Sequence, residues 1–517
     1  MQQSSNRKCL NIENRIDYMK FHPIMVFVLL FLSVFSTSIT IDNPHIFLDI
    51  NCSRTDGMIK YFSEINAGPL PIWYIEGGKD ITQEYEETGI NFVRTHDFYG
   101  PTDISTIFPD WDADVNDPAS YNFTSSDEVI KAIGDAGCRV FYRLGESASD
   151  NEKLRQPPEN FTKWAEVCKH VVMHYNDGWA DGYHYNITYW EIWNEPDLKG
   201  FWNGTAEQYY ELYGITASML KEYNASLKVG GPCTSSITND NYTLGFLEYV
   251  GNNGIPLDFF SWHMYSSSPY QLEIASRYIR FLLDTHGFPE CENINTEWNV
   301  DILSPQRDKD NAKNAAFTAC TMMAWQYAGI DHAFRYRGTQ DNNWLARLLG
   351  FDLSLFAYDG TYKRPALTYL AMNYMAKDTP LRLKMETFNV SEGIAYLAGI
   401  SEDGSNISIL ISNYEASDKS ITINLTGIPW ENGKIIHYLI DEEHHLQIVE
   451  EKDVNATMIK INLSLNKNSV HFIRLTSSSI APPEGPEVVP IPFWMKLPIL
   501  DPFTRILGIL LLMLVFS

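Results

Sequence analysis

Two glutamates stand out for the company they keep. Glu195 closes the run Tyr189-Trp190-Glu191-Ile192-Trp193-Asn194-Glu195-Pro196-Asp197, and Glu297 sits in Ile294-Asn295-Thr296-Glu297-Trp298-Asn299. In both runs aromatic and branched side chains suit a buried strand. Proline cannot continue a hydrogen-bonded ladder, so the first strand is expected to stop at Glu195 and lift that carboxylate to a rim. Glu297 ends a second strand in a similar setting. Two carboxyl groups so placed, each beside aromatics, could hydrolyse a glycosidic bond. Glu191 shares the strand face of Glu195 but comes earlier, which at about 3.3 Å per residue puts it roughly 13 Å deeper. It is expected to be an interior carboxylate in need of a cation such as an arginine.

A scaffold must hold these groups at one rim. From Ile59 onward the chain alternates strand-like and helix-like stretches. The strands expected are Ile59 to Asn66, Ile90 to Asp97, Cys138 to Gly145, Ile187 to Glu195, Leu227 to Gly231, Leu257 to Tyr265, Glu292 to Trp298 and His332 to Arg337. Helix-like segments such as Phe161 to Tyr175, Ala206 to Glu222, Leu272 to His286 and Asn311 to Tyr327 separate them. Eight such alternations predict an α/β fold, a (β/α)8 TIM barrel, over residues 59–380. A doubly wound open sheet is the alternative, but no glycine-rich phosphate loop follows the first strand. Short alternating strands then predict a C-terminal β-sandwich domain over residues 381–476. A Ser- and Pro-rich linker covers 477–505, and an apolar tail covers 506–517.

The N-terminus is polar and slightly basic up to Lys20, and an apolar run from Ile24 to Phe35 precedes Ser36-Thr37-Ser38. That pattern predicts a signal region at 1–38, with Met19 as a tidier start. Twelve N-x-S/T triplets agree with export: they open at Asn51, Asn122, Asn160, Asn186, Asn203, Asn224, Asn241, Asn389, Asn406, Asn424, Asn455 and Asn462. A secreted or cell-surface glycoprotein is therefore expected, with a lysosome-like compartment as the variant. The tail after Arg505 is long enough only for a lipid-anchor signal or a weak membrane anchor; packing against the sandwich is the alternative. Past the signal region, Cys52, Cys138, Cys168, Cys233, Cys291 and Cys320 show no CxxC spacing, which argues against a zinc site and leaves disulfides open. No metal or cofactor is called for. A net charge of −26 excludes nucleic acid as a partner, because a phosphate backbone needs Lys and Arg. Aromatics make up 13% of the chain, enough to stack on sugars as well as to fill cores.

Over most of residues 59–376 the sequence resembles glycoside hydrolase family 39, the group of β-xylosidases and α-L-iduronidases. Its strongest match is Trp190 to Asp197, which looks like the family's acid/base signature. Arg94-Thr95-His96, Ser261-Trp262-His263-Met264-Tyr265 and Thr296-Glu297-Trp298-Asn299 support it in order. The resemblance implies a retaining mechanism, with Glu195 as acid/base after the fourth strand and Glu297 as nucleophile after the seventh. It implies that a segment at 39–58 joins the β-sandwich, and that Arg94 holds Glu297 ionised, although Arg94 could instead pair with Glu191. A protonated Glu195 would need apolar walls, for which Trp190 and Trp193 are at hand. Asn194 would bind the sugar 2-hydroxyl, and His96, His263, Tyr265 and Trp298 would line the subsite. Each of these rings could equally be core. Asp352 and Arg364 read as mostly structural.

The partner implied is a carbohydrate. In the iduronidase branch a lysine follows the strand-six histidine by two residues, whereas Tyr265 stands there in this chain. A tyrosine hydroxyl suits a neutral sugar better than a uronate carboxylate. Neutral β-glycosides such as β-xylosides are therefore expected as substrates. The alternatives are an iduronidase-like hydrolase, with Arg337 or Arg364 supplying the cation, and a non-catalytic carbohydrate-binding surface protein. A serine esterase is excluded because no G-x-S-x-G elbow accompanies a strand-to-helix turn.

Overall fold

A ring of parallel strands holds the two carboxylates. The computed structural model describes residues 45–69, 79–96, 100–147, 152–237, 239–339, 350–385, 390, 393–477, 484–486 and 488. The expected signal region, nearly all of the linker and the apolar tail lie outside the described residues.

Two short strands come first, β1 (Ile46–Asn51) and β2 (Thr55–Met58). The ring follows: β3 (Glu64–Asn66), β4 (Phe92–Arg94), β5 (Arg139–Leu144), β6 (Tyr189–Ile192), β7 (Lys228–Thr234), β8 (Phe259–Tyr265), β9 (Glu292–Asn299) and β10 (His332–Arg335). Every neighbouring pair is parallel, and β10 pairs with β3 to close the barrel. The crossover helices are α1 (Thr82–Thr88), α2 (Thr124–Asp135), α3 (Phe161–Asp177), α4 (Ala206–Tyr223), α5 (Asp240–Asn253), α6 (Pro269–Thr285), α7 (Ala312–Ala324) and α8 (Arg364–Asp378). Their starts are set by local chemistry. At α4, Thr205 accepts from the Gln208 amide while the Gln208 side chain accepts from the Thr205 amide, a reciprocal capping box.

Inside the ring the side chains change from apolar to charged along the strands. Phe92, Phe141, Tyr189, Phe259, Ile294 and Phe334 form one buried aromatic floor. Two residues further along their strands, on the same face, come Arg94, Arg143, Glu191 and Ser261, all buried. The polar and charged layer above this floor faces the C-terminal ends of the strands, where barrels of this type carry their chemistry.

After α8 come β11 (Leu381–Leu383), β12 (Ile394–Ile400), β13 (Asn406–Asn413), β14 (Lys419–Thr426), β15 (Asn432–Ile440), β16 (His445–Asn455), β17 (Ile459–Leu465) and β18 (Ser469–Thr476). They build a seven-stranded sheet in the order β16-β15-β18-β13-β12-β11-β2 and a three-stranded sheet in the order β1-β14-β17. The first segment thus adds β1 parallel to β14 and β2 antiparallel to β11. At β12 the large sheet is buried on both faces. Ile394, Tyr396 and Ala398 face the small sheet, whereas Ala395 and Leu397 join the core of the barrel and its helices. Residue-by-residue alternation on β12 welds the two layers together. The long β16 escapes a sequence reading because its charged, exposed run His445–Asn455 lacks that alternation.

All six described cysteines are buried and none forms a disulfide. No helix among the described residues is long and apolar enough to cross a membrane.

Candidate active site

Arg94 is the hub. Its side chain is fully buried and its donors reach five side chains. Nε donates to Glu191 Oε2 at 2.7 Å, and Nη1 donates to Glu297 Oε1 and to Asn66 Oδ1, each at 3.0 Å. Nη2 donates to Asn194 Oδ1 at 2.7 Å and lies 3.1 Å from Cys233 Sγ. Burial works against a charged guanidinium, but the carboxylates of Glu191 and Glu297 outweigh it and hold the Arg94 pKa above its usual value. The two pairings weighed from sequence are therefore both made by one side chain.

That arrangement gives Glu191 the interior place and the arginine partner expected of it. The strand does not run straight to Glu195: β6 ends at Ile192, and Trp193 and Glu195 take left-handed φ values of 74° and 45°. The chain turns there, so residue spacing no longer converts to rise along the strand. One guanidinium reaches both Glu191 and Asn194. Glu191 is an interior partner in the site rather than a remote one.

Glu297 enters the barrel through an irregularity in the sheet. Against β8, Asn295 pairs with Trp262 but Glu297 pairs with His263, so Thr296 is an extra residue. This lets Thr296 and Glu297 both address the interior, Thr296 Oγ1 lying 3.6 Å from Cys233 Sγ. Glu297 Oε2 accepts from the Tyr265 hydroxyl at 2.7 Å, and its Oε1 lies 3.6 Å from His96 Nε2. Burial, reinforced by Glu297, raises the Tyr265 pKa, so the phenol keeps the proton it donates. Burial, with Arg94 next, lowers the pKa of His96, leaving a neutral ring beside the carboxylate.

His263 sits between the two carboxylates. Its Nδ1 lies 2.8 Å from Glu195 Oε1 and 3.6 Å from Glu297 Oε2, and the ring is fully buried. Burial lowers its pKa despite the opposing pull of Glu297. One atom each of Glu195, His263 and Glu297 lie within 4.8 Å of one another. Among the described residues these three side chains are the group that a divalent cation could address, but Arg94 and Tyr265 donate to Glu297 and His263 lies against Glu195. The loops after β6 and β7 are tied together by Asp197, which accepts from the Ser235 amide at 2.9 Å and from its hydroxyl at 2.8 Å.

The structure thus brings Glu195, Glu297, Asn194, Arg94, His96, His263 and Tyr265 together. Trp298 it does not. Next after Glu297 on the strand, Trp298 faces outward, its ring 4.9 Å from Trp325 and its Nε1 donating to Ala333 O at 3.2 Å. The tryptophans expected to wall Glu195 also turn to the helical layer. Trp190 stacks on Tyr142 at 5.0 Å, and Trp193 packs edge-on against Trp202 at 5.0 Å. Arg364 is engaged by the sandwich, donating to Asp441 O at 3.0 Å and Glu442 O at 2.7 Å. Asp352 is engaged by Ser354 and Lys363. Two members of the site escaped the sequence reading. Asn66, at the end of β3, offered the signal of a polar residue closing a strand. Cys233 offered none, because a cysteine in Gly230-Gly231-Pro232-Cys233 reads as core.

With this geometry in place, comparison with known proteins is informative. The family model of Glycosyl hydrolases family 39 matches residues 75–444. A β-xylosidase of Geobacillus stearothermophilus is 26% identical over 265 residues, covering 45% of this chain and 51% of that protein. A β-xylosidase of Caldicellulosiruptor saccharolyticus is 28% identical over 275 residues, covering 47% of this chain and 53% of that protein. The chain spans about half the length of these curated relatives. Among solved structures, a glucosidase from Croceicoccus marinus superposes with a TM-score of 0.73 at 24% identity, covering 84% of this chain and all of that one. That likeness is one of fold.

Proposed function

The chain belongs to glycosyl hydrolases family 39, and from that premise we propose that it is a retaining glycosidase of neutral β-glycosides, with β-xylosides first among them. The observation that carries the reading is the closeness of the two carboxylates, one oxygen of each within 4.8 Å. Retaining pairs stand about 5–5.5 Å apart, whereas inverting pairs stand about 6.5–9.5 Å apart to admit a water. Glu297, held by Arg94 and Tyr265, attacks the anomeric carbon. Glu195 donates a proton to the leaving oxygen and then activates water. Asn194 spends its carbonyl on Arg94, and its buried Nδ2 has no partner among the described residues. That amide is free to donate to a sugar 2-hydroxyl, a contact that tightens as oxocarbenium character grows.

The sugar follows from charge. A uronate wants a cation near its carboxylate. Tyr265 occupies the position of the iduronidase-branch lysine and is engaged with Glu297, and Arg364 is engaged with the sandwich. The two curated relatives are β-xylosidases. Purified protein is expected to release the aglycone of an aryl β-xyloside at mildly acidic pH with a higher kcat/KM than that of an aryl α-L-iduronide. Faster turnover of the iduronide would overturn the assignment, and Arg337→Ala would then be the variant to make. Absence of turnover on any aryl glycoside would favour the carbohydrate-binding alternative.

We infer export from the same sequence features as before, with one structural support. Of the eleven sequon asparagines among the described residues, none is buried, so each can carry a glycan without unfolding. Expression in secretory cells is expected to yield a chain cleaved near Ser38 whose mobility increases on treatment with an N-glycanase. Unchanged mobility would remove this reading. Equal release into the medium of the full chain and of a chain ending at Ser479 would count against any anchor in the tail.

A further inference from the structure

We propose that Cys233 is a positioning residue of this site: its thiol fixes the tautomer of His263 and thereby aims the acid/base Glu195. The inference rests on the glycosidase reading above and goes on to the group behind the histidine.

The argument is one of donors and acceptors. Cys233 Sγ lies 3.1 Å from Arg94 Nη2, 3.0 Å from His263 Nε2, 3.5 Å from Asn194 Oδ1 and 3.6 Å from Thr296 Oγ1. A guanidinium only donates, so toward Arg94 the sulfur accepts. Burial first, then Glu191, pushes the thiol pKa up against the pull of Arg94, so the sulfur keeps its proton. Of the groups in reach, Asn194 Oδ1 at 3.5 Å already accepts from Arg94 and Thr296 Oγ1 lies at 3.6 Å, so the shortest contact, 3.0 Å to His263 Nε2, is the one assigned the proton. A neutral imidazole has one N–H and one lone pair. With the lone pair on Nε2 taken up by the thiol, the N–H is on Nδ1, 2.8 Å from Glu195 Oε1. The direction of every bond from Arg94 through Cys233 and His263 to Glu195 is then determined.

Two features show that this placement is built. Cys233 takes a left-handed φ of 57°, uncommon for a residue other than glycine, and the register of β7 against β8 slips between Pro232 and Thr234. The irregularity turns the thiol inward. Its carbonyl also accepts from the Glu195 amide at 3.0 Å, so the same residue holds both ends of the acid/base.

The consequence is a choice between two oxygens of Glu195. A donor on Nδ1 occupies Oε1, which leaves the catalytic proton to the other oxygen, toward the leaving group. Without the thiol, His263 can carry its proton on Nε2 and present a lone pair to Glu195. Glu195 would then give its proton to the ring rather than to the substrate.

The test uses the full chain as Cys233→Ala and Cys233→Ser, with thermal unfolding as the folding control. Cys233→Ala is expected to lower kcat/KM on glycosides with poor leaving groups about tenfold to hundredfold, the rate equivalent of one hydrogen bond to a charged group. Activated aryl glycosides, which need little protonation, should lose much less. The alkaline limb of the pH profile should move up by about one unit. Serine, whose hydroxyl also donates, should restore both. In parallel, 15N NMR of histidine-labelled protein reads the tautomer directly. The His263 signal, assigned by its loss in His263→Gln, should show Nδ1 protonated in the native chain and in Cys233→Ser but not in Cys233→Ala. An unmoved pH profile in the alanine variant, equal losses for good and poor leaving groups, failure of serine to restore, or Nε2 protonation in the native chain would each overturn the proposal. The NMR arm needs no turnover, so it judges the tautomer even if the glycosidase reading fails.

Discussion

Glu297→Ala is expected to abolish turnover of every glycoside, with a loss on the order of 10⁵–10⁶-fold, the scale of removing a covalent nucleophile. Tyr265 holds its proton tightly and burial keeps His96 neutral, so neither takes over as the nucleophile. Glu195→Ala behaves differently. It loses about 10²–10⁴-fold on substrates with poor leaving groups, the usual worth of a general acid. It keeps the first step for activated aryl glycosides, so a burst of aglycone is expected, followed by a slow phase as the glycosyl-enzyme accumulates. Added azide should accelerate that slow phase and yield a β-azide from a β-glycoside, because the small anion enters where Glu195 has left room. Product stereochemistry by NMR is the deciding measurement. An inverted azide from Glu195→Ala would mean that the two roles are exchanged or that the mechanism is not retaining.

Arg94→Ala is expected to cost both stability and activity, by separable routes. The substitution strands Glu191, a fully buried carboxylate whose ion pair with Arg94 measures 2.6 Å. Breaking a buried pair from one side costs about 3–5 kcal/mol, because the remaining charge is left uncompensated. Arg94→Met combined with Glu191→Met should recover most of that loss in denaturant unfolding, since a buried pair replaced by apolar side chains is close to neutral. Activity should stay lost in the double variant, because Glu297 still lacks the Nη1 bond that holds it and Asn194 lacks the Nη2 bond that orients it. If the double variant regains turnover along with stability, Arg94 is a structural ion-pair partner and nothing more.

The eight-strand rhythm, the sandwich and the two carboxylates were legible in the linear chain because they rest on local regularities. Apolar runs of strand length, helical periodicity between them and a proline after Glu195 are properties of neighbours in sequence. What was misjudged lies where the regular period breaks. A straight strand is expected through Glu195, whereas the chain turns at Trp193 and Glu195. Trp298, next to Glu297 in sequence, is expected in the sugar subsite, but successive strand residues face opposite ways and its ring packs against Trp325. The charged strand His445–Asn455 passed unnoticed because it owes its existence to its hairpin partner β15 rather than to any pattern of its own.

By itself, then, the sequence determined which side chains could do chemistry and the kind of scaffold that would carry them, since residue type and local period are written in the chain. The contacts between those side chains come from the folding of the ring. Arg94 serves Glu191 and Glu297 at once, across separations of 97 and 203 residues, a matter of barrel closure. His263 and Tyr265 became partners of the carboxylates rather than simple walls for the sugar, because strand β8 lies beside the slipped register of β9. Cys233 entered the site through an irregularity that no spacing announces. Such contacts depend on register and backbone turns set by the closing of the whole ring, and a linear pattern carries no record of them.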